Sequence, residues 1–219
     1  MNKKKNIDLL GIGNAITDIL VATDYKFLEK MNLNIGSMQL VEFETIKNII
    51  KNFENKKISA GGSVANTISM VANLGNRCAF IGRRKNDTQG KLFSESMSSS
   101  NILLPNSEVE FGEASSTCLV LITPNGERTM LTYLGASTNL TQEDIDVSLI
   151  KKSKIVYLEG YLFDLPEAKE LFFTLADKQQ ELGFEFALSL SDPFCVTRHK
   201  EDFLKLLDKK IKIVFSNQE

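Results

Sequence analysis

The sequence predicts an α/β fold in which a mainly parallel sheet carries helices on both faces and a small β-rich unit is attached. Short runs of consecutive apolar residues, typical of strands buried on both faces, recur along the chain and alternate with helical segments after residue 150. A second observation concerns the tetrapeptide PNGE, which joins two β-rich segments at 117–123 and 128–133 and indicates a hairpin. Because the hairpin interrupts the alternation, we expect it to lie outside the main sheet.

The individual elements follow from periodicity and from end signals. Apolar residues at helical spacing predict a helix over 43–53. Pro166 suits a first helical turn and Gly183 a position just past a helix end, while Thr141 suits an N-cap. The predicted strands are 7–13, 78–82, 155–160, 186–192 and 211–217, and the predicted helices are 24–32, 43–53, 63–74, 141–150, 166–182 and 200–207.

Composition limits the classes of partner. The 219 residues carry a formal net charge of -2, so nothing favours a nucleic-acid or anionic-membrane partner, and no apolar run reaches membrane-spanning length. Three widely spaced cysteines fit a reducing compartment, and a single histidine excludes a histidine-based metal cluster. We therefore expect one cytoplasmic domain, 1–219, and assign no metal ligands.

The ends of the predicted strands carry small and polar residues. Ligands of parallel α/β sheets bind at the carboxyl ends of the strands. The residues that follow the predicted strands are Gly13-Asn14, Gly82, Glu159-Gly160, Ser191-Asp192 and Ser216-Asn217. They favour a small-molecule site over a purely structural sheet.

A glycine pair precedes the helix predicted from Ser63. Gly61 and Gly62 can adopt positive φ and let a ligand approach the backbone closely, at a helix end that offers free N–H groups. Asn66 lies in the first turn, on the side away from the apolar face, and could donate and accept hydrogen bonds toward a polyol. A tight turn followed by a solvated asparagine fits the same pattern, so spacing alone leaves both interpretations open.

Other glycine motifs do not fit. The segment GIGNAI has only the first two glycines of a dinucleotide fingerprint, and no helix is predicted after it. The sequence contains neither a Walker A loop nor a G-x-S-x-G elbow.

Taken in order, several segments resemble the ribokinase-like (pfkB) carbohydrate and nucleoside kinases, nearest their adenosine-kinase-like members. These segments are GNAITDI, AGGSVAN, LGN, FIGRRKNDTQG, GERTMLTYLGAS, EGYLFD, LSDPF and FSNQE. Together they span nearly the whole chain and are similar to the N-terminal two-thirds of such kinases. Val64 departs from the pattern, because many sugar kinases of the family have a small residue there.

The resemblance implies a set of site residues. It assigns Asp18 to two hydroxyls of the sugar, and Gly61, Gly62 and Asn66 to the same pocket, beside Asn14 at the end of the first strand. Arg128 matches an arginine that moves near the transferring phosphate. Asn217 matches the asparagine of an N-x-x-E motif in the magnesium and phosphate region. Segments of about 18–41 and 115–137 correspond to the family's β lid.

The resemblance also implies the activity, which is ATP- and Mg²⁺-dependent phosphorylation of a hydroxyl on a nucleoside or sugar. The family's G-A-G-D loop, which carries the catalytic aspartate base, does not occur in these residues. We therefore expect a chain truncated at its C-terminus and inactive by itself. The alternative is a non-catalytic binding protein for a sugar or nucleoside, and a homodimer through the lid is a further expectation. The sequence does not choose between adenosine, inosine, ribose and a hexose.

Overall fold

The computed structural model describes residues 5–209 and 211–218. The strands of this part of the chain are β1 (Ile7–Ile12), β2 (Ile16–Ala22), β3 (Met38–Leu40), β4 (Lys57–Gly61), β5 (Cys78–Ile81), β6 (Ser116–Ile122), β7 (Arg128–Tyr133), β8 (Ser153–Glu159), β9 (Glu185–Ser189) and β10 (Ile213–Phe215). The helices are α1 (Tyr25–Lys30), α2 (Phe43–Ile50), α3 (Ser63–Asn73), α4 (Thr88–Ser99), α5 (Val147–Lys152), α6 (Pro166–Leu182) and α7 (Pro193–Leu207).

The main sheet has five strands in the order β10-β9-β8-β1-β5, and all neighbouring pairs are parallel. One face packs on a large apolar cluster to which α5, α6 and α7 contribute, and the other packs on α3 and α4. Helices on both faces explain why the strands read as continuous apolar runs. The predicted fold class is confirmed.

The hairpin predicted at PNGE belongs to a second five-stranded sheet, ordered β3-β7-β6-β2-β4. Strands β6 and β7 pair antiparallel on either side of the turn, and β2 pairs parallel with β6. The prediction that the hairpin lies outside the main sheet is confirmed. Helices α1 and α2 cover one face of this sheet with an apolar cluster that includes Ile19, Leu119 and Leu131. The other face borders the cavity described below.

Helix α3 begins at Ser63, as predicted. Its apolar face is buried through Val64 and Ile68, whereas Met70 on the opposite side is 64% exposed. Helix α6 also has the predicted ends, with Pro166 in the first turn and Gly183 in the left-handed conformation after the last. These agreements reflect local chemistry that acts within one helix.

Some predicted boundaries were wrong. Segment 141–150 is not one helix: Thr141 caps a short 3₁₀ turn, and Asp146 starts α5 by accepting hydrogen bonds from two backbone N–H groups. The helix predicted over 200–207 begins already at Pro193 and is kinked at His199. In both cases an aspartate cap decided the start, because it satisfies N–H groups that a helix end leaves free. The five predicted strands extend one to three residues beyond the observed C-terminal ends of β1, β5, β8, β9 and β10.

Candidate functional site

A cavity of about 490 Å³ lies where the carboxyl ends of the main-sheet strands meet the uncovered face of the second sheet. Strand ends of a parallel sheet supply one wall, as expected for a ligand site in such folds. Its lining includes five of the predicted site residues: Asn14, Asp18, Gly62, Asn66 and Arg128. Two other predicted residues, Gly61 and Asn217, are not part of the lining.

The second sheet contributes a continuous row of side chains to this cavity. Asp18 of β2 pairs with Cys118 of β6, Cys118 pairs with Thr132 of β7, and Thr132 pairs with Leu40 of β3. Residues directly opposite on neighbouring strands point to the same face of a sheet. The wall therefore combines one carboxylate with small and apolar groups.

Asp18 lies in the middle of β2, and its carboxyl group packs against the backbone of Gly61. A Cβ atom at position 61 would lie 2.2 Å from that carboxyl group, which explains why a glycine is required there. Gly61 thus supports Asp18 without lining the cavity itself. Burial raises the pKa of Asp18 from 3.8 to about 6, and the nearby positive charge of Arg128 opposes the shift. A carboxylate held in this way can accept hydrogen bonds from two adjacent hydroxyls.

The raised pKa of Asp18 predicts that ligand binding and stability both depend on pH. Only the ionised carboxylate is a pure acceptor, so binding of a vicinal diol should strengthen as the pH rises from about 5 to 7.5. Stability should change in the opposite direction. Because the folded-state pKa lies above 3.8, the contribution of Asp18 to stability is present below that value and is lost as the pH rises through about 6.

Calorimetric titrations at several pH values check this prediction, with Asp18→Asn as the control that cannot ionise. The variant should lose the pH dependence of binding centred near pH 6. An identical pH profile for both proteins would contradict the assignment.

The start of α3 forms the adjoining wall. Gly62 has φ 97°, and a Cβ atom there would lie 2.4 Å from the carbonyl oxygen of Asn14. Gly62 also accepts the hydrogen bond from the Asn66 backbone N–H, so Asn66 is fixed in the first turn. Asn66 is exposed toward the cavity, as its position on the helix predicted. Each glycine of the pair therefore allows one close contact: Gly61 with the Asp18 carboxyl group and Gly62 with the Asn14 carbonyl oxygen.

Sequence reasoning assigned no role to Glu159, at the end of β8, although the structure places it at the centre of this wall. It is 1% exposed, accepts a 2.6 Å hydrogen bond from the Asn14 backbone N–H, and accepts another from the Ser63 hydroxyl. Burial raises the pKa of Glu159, whereas these bonds and the backbone N–H groups of Ser63 and Val64 oppose that rise. A carboxylate at a helix N-terminus is electrostatically favoured, so Glu159 ties β1 to α3. An acidic residue ending a fully apolar strand was the available signal.

The remaining wall comes from the segments after β8 and β9. Asp192 lines the cavity and also caps α7 by accepting a hydrogen bond from the Cys195 backbone N–H. Asp164 receives two hydrogen bonds from Arg198, and the His199 ring lies 2.6 Å from the same carboxylate. His199 and Cys195 are thus structural: Cys195 is fully buried, and the ring pairs with Asp164.

The resemblance assigns Arg128 and Asn217 to the phosphate end of the site. Arg128 is exposed at the first position of β7 and faces the cavity, where its charge acts on Asp18. Asn217 is exposed beyond β10 and does not join the cavity, so its phosphate role stays a prediction. Within residues 5–209 and 211–218, no group of three or more His, Cys, Asp or Glu side chains is arranged to hold a metal ion. In the same residues, no helix is both long and apolar enough to cross a bilayer.

A wider groove of about 850 Å³ adjoins the cavity through Thr138 and Leu165. It contains none of the predicted site residues. We place the candidate site in the smaller cavity, where several carboxylates and two arginines converge.

Comparison with known proteins agrees with this geometry. The sequence pattern described as pfkB family carbohydrate kinase matches residues 29–219. The chain belongs to the pfkB family. Among curated members, it is 24% identical to adenosine kinase 2 of Arabidopsis thaliana over 233 residues, which cover all of this chain and 65% of that protein. It is 27% identical over 129 residues to a probable fructokinase-6, chloroplastic, of the same plant, covering 58% of this chain and 34% of that one.

Solved structures of pfkB-like proteins match the whole architecture. Adenosine kinase from Sinorhizobium meliloti superposes with a TM-score of 0.85 and 34% identity, over 96% of this chain and 64% of that chain. Adenosine kinase from Schistosoma mansoni in complex with adenosine superposes with a TM-score of 0.84 and 25% identity. The match covers 100% of this chain and 64% of that chain. This chain therefore spans less than two thirds of the length of each of these proteins.

Proposed function

We propose that this chain forms the acceptor-binding part of an ATP- and Mg²⁺-dependent kinase that phosphorylates a hydroxyl group of an adenosine-like nucleoside or a sugar. The observation that carries the proposal is the convergence of Asp18, Asn66 and Gly62 in one cavity. Glu159 stabilises this wall of the cavity by accepting hydrogen bonds from the Asn14 backbone N–H and the Ser63 hydroxyl. Membership of the pfkB family supports phosphoryl transfer as the reaction. The named relatives are kinases, which favours a kinase over a non-catalytic binding protein.

The acceptor is held by groups of complementary chemistry. The Asp18 carboxylate accepts hydrogen bonds from two adjacent hydroxyls, and the Asn66 amide both donates and accepts. Glu159 acts through its neighbours, since its hydrogen bonds fix Asn14 and the first residues of α3. Side chains of β3, β6 and β7 add apolar surface to the cavity wall, which would exclude water from the reacting hydroxyl once a ligand is enclosed. In this proposal the second sheet acts as a lid.

ATP would supply the γ-phosphoryl group, and Mg²⁺ would neutralise charge on its phosphates. The described residues fit this phosphate end only in part. Arg128 offers a cation at the cavity rim, but the same residues have no three-membered metal cluster, and the sequence contains no G-x-G-D loop. The residues that fit are therefore those for the acceptor.

Two earlier expectations stay predictions. A homodimer through the lid would need a free surface on the second sheet, and α1 and α2 already pack on the face away from the cavity. Such a dimer would have to use the edge strands β3 and β4. The cytoplasmic location likewise stays a prediction.

A thermal-shift screen of the purified protein tests the proposed function. Adenosine, inosine, ribose and fructose are compared at equal concentrations, because a ligand that binds only the folded state raises the melting temperature according to its affinity. We expect a nucleoside or sugar to raise it, and Asp18→Asn to lose most of that shift. No shift with any of the four ligands would contradict the proposal.

A further inference from the structure

The segments after β8 and β9 form one end of the cavity, where a carboxylate lies beside apolar side chains. Ser191 has φ 69°, a left-handed conformation that is uncommon for a residue other than glycine. It is held there because its hydroxyl accepts a hydrogen bond from the Tyr161 backbone N–H and its own N–H donates to Ser189. Backbone strain of this kind is often found where a functional side chain must be aimed. The next residue is Asp192.

The Asp192 carboxylate is fixed at both oxygens. Its Oδ1 accepts a 2.7 Å hydrogen bond from the Cys195 backbone N–H, and its Oδ2 accepts a 3.1 Å bond from the Tyr161 hydroxyl. An ionised carboxylate has about four acceptor sites, so two of them stay available. Because Asp192 lines the cavity, that capacity is accessible to a bound ligand.

The surroundings make this end rich in acceptors and poor in donors. Arg198 is engaged in two hydrogen bonds of 2.8 and 3.1 Å with Asp164, so much of its donor capacity and charge is already used. Phe194, Leu162 and Leu165 complete the wall with apolar surface, and Phe194 is 75% exposed. An apolar slot with a carboxylate at its end fits a planar heterocycle whose edge carries an exocyclic amino group.

Asp18 and Asp192 reach the cavity from different elements, Asp18 from β2 of the second sheet and Asp192 from the segment after β9 of the main sheet. A nucleoside, with a sugar and a base joined end to end, offers separate polar groups to the two carboxylates.

We propose that Asp192, held by Ser191 and Tyr161, determines base specificity by selecting nucleosides that present an amino group at the edge of the base over those that present an oxo group. This inference rests on the proposed function. An amino group donates to the carboxylate, whereas an oxo group brings a second acceptor against it. An acceptor placed against a desolvated acceptor is left unpaired and is rejected.

The test compares adenosine, which has a 6-amino group, with inosine, which has a 6-oxo group, by calorimetric titration of the purified protein. The key variant is Asp192→Asn, because asparagine caps helices as well as aspartate does but replaces one acceptor by a donor. We expect the ratio of adenosine affinity to inosine affinity to fall about tenfold or more. Asp192→Ser, which keeps a capping side chain but has no carboxylate, should also lower the ratio.

A matched control separates specificity from stability. Asp146→Asn makes the same change at the cap of α5, away from the cavity, and should leave the ratio unchanged. Tyr161→Phe removes the hydroxyl that holds Asp192 Oδ2, so it should lower the ratio by less than Asp192→Asn does.

The outcomes distinguish the two proposals. An unchanged ratio in both Asp192 variants, with nucleoside binding intact, overturns the role of Asp192 and leaves the proposed function standing. If the wild-type protein binds ribose or fructose but neither nucleoside, the role of Asp192 is overturned and the proposed kinase function still stands. If the wild-type protein binds no nucleoside or sugar at all, both proposals fall.

Discussion

Replacing Asp18 by alanine is expected to weaken binding of the nucleoside or sugar about ten- to a hundred-fold. The substitution removes hydrogen bonds to a charged acceptor, which should cost roughly 1.5–3 kcal/mol of binding free energy in total. The affinity for ATP should change much less, because Asp18 faces the acceptor cavity in the middle of the second sheet. Titration calorimetry with each ligand separately measures both effects.

The stability of the Asp18→Ala protein provides the control. Burial raises the pKa of Asp18, which means that the ionised group is held at some expense to stability at neutral pH. The variant should therefore unfold at the same temperature as the wild type or slightly above it at pH 7. A protein that folds as well as the wild type and binds its acceptor with unchanged affinity would remove Asp18 from the site.

Replacing Gly62 by alanine is expected to destabilise the fold by about 2–4 kcal/mol. Two costs add at this position. The residue has φ 97°, which L side chains rarely adopt, and the new Cβ atom would lie 2.4 Å from the carbonyl oxygen of Asn14. Because that oxygen belongs to the backbone, it cannot rotate away, and either β1 or α3 must shift. Chemical denaturation checks the free energy of unfolding.

Gly75→Ala is the matched control for this experiment. Gly75 has φ 87° at the end of α3, but a Cβ atom there would meet nothing within 4 Å. Its substitution should cost only the backbone term, about 1–2 kcal/mol. Equal losses for both variants would show that the approach of Gly62 to Asn14 carries no steric cost.

Much of the fold could be predicted because its signals are local. Apolar strands alternating with helices indicate a sheet covered on both faces, and PNGE between two β-rich segments indicates a hairpin turn. The ends of α3 and α6 follow from glycine and proline, which act within a few residues. The error at 141–150 fell where two caps competed, Thr141 and Asp146, since each satisfies the same kind of free N–H group.

The site was predictable where its residues lie close together in the chain or match a family pattern. The sequence by itself determined the fold class, the glycine pair before α3, and Asp18 and Asn66 as candidates for the acceptor. Only the tertiary structure decided that Glu159 binds the backbone of Asn14, and that Tyr161 meets Asp192. Those contacts depend on the strand order β9-β8-β1, which brings together segments distant in sequence. Burial, which sets the pKa of Asp18, is likewise a property of the packed chain, because it arises from atoms that the local sequence does not contain.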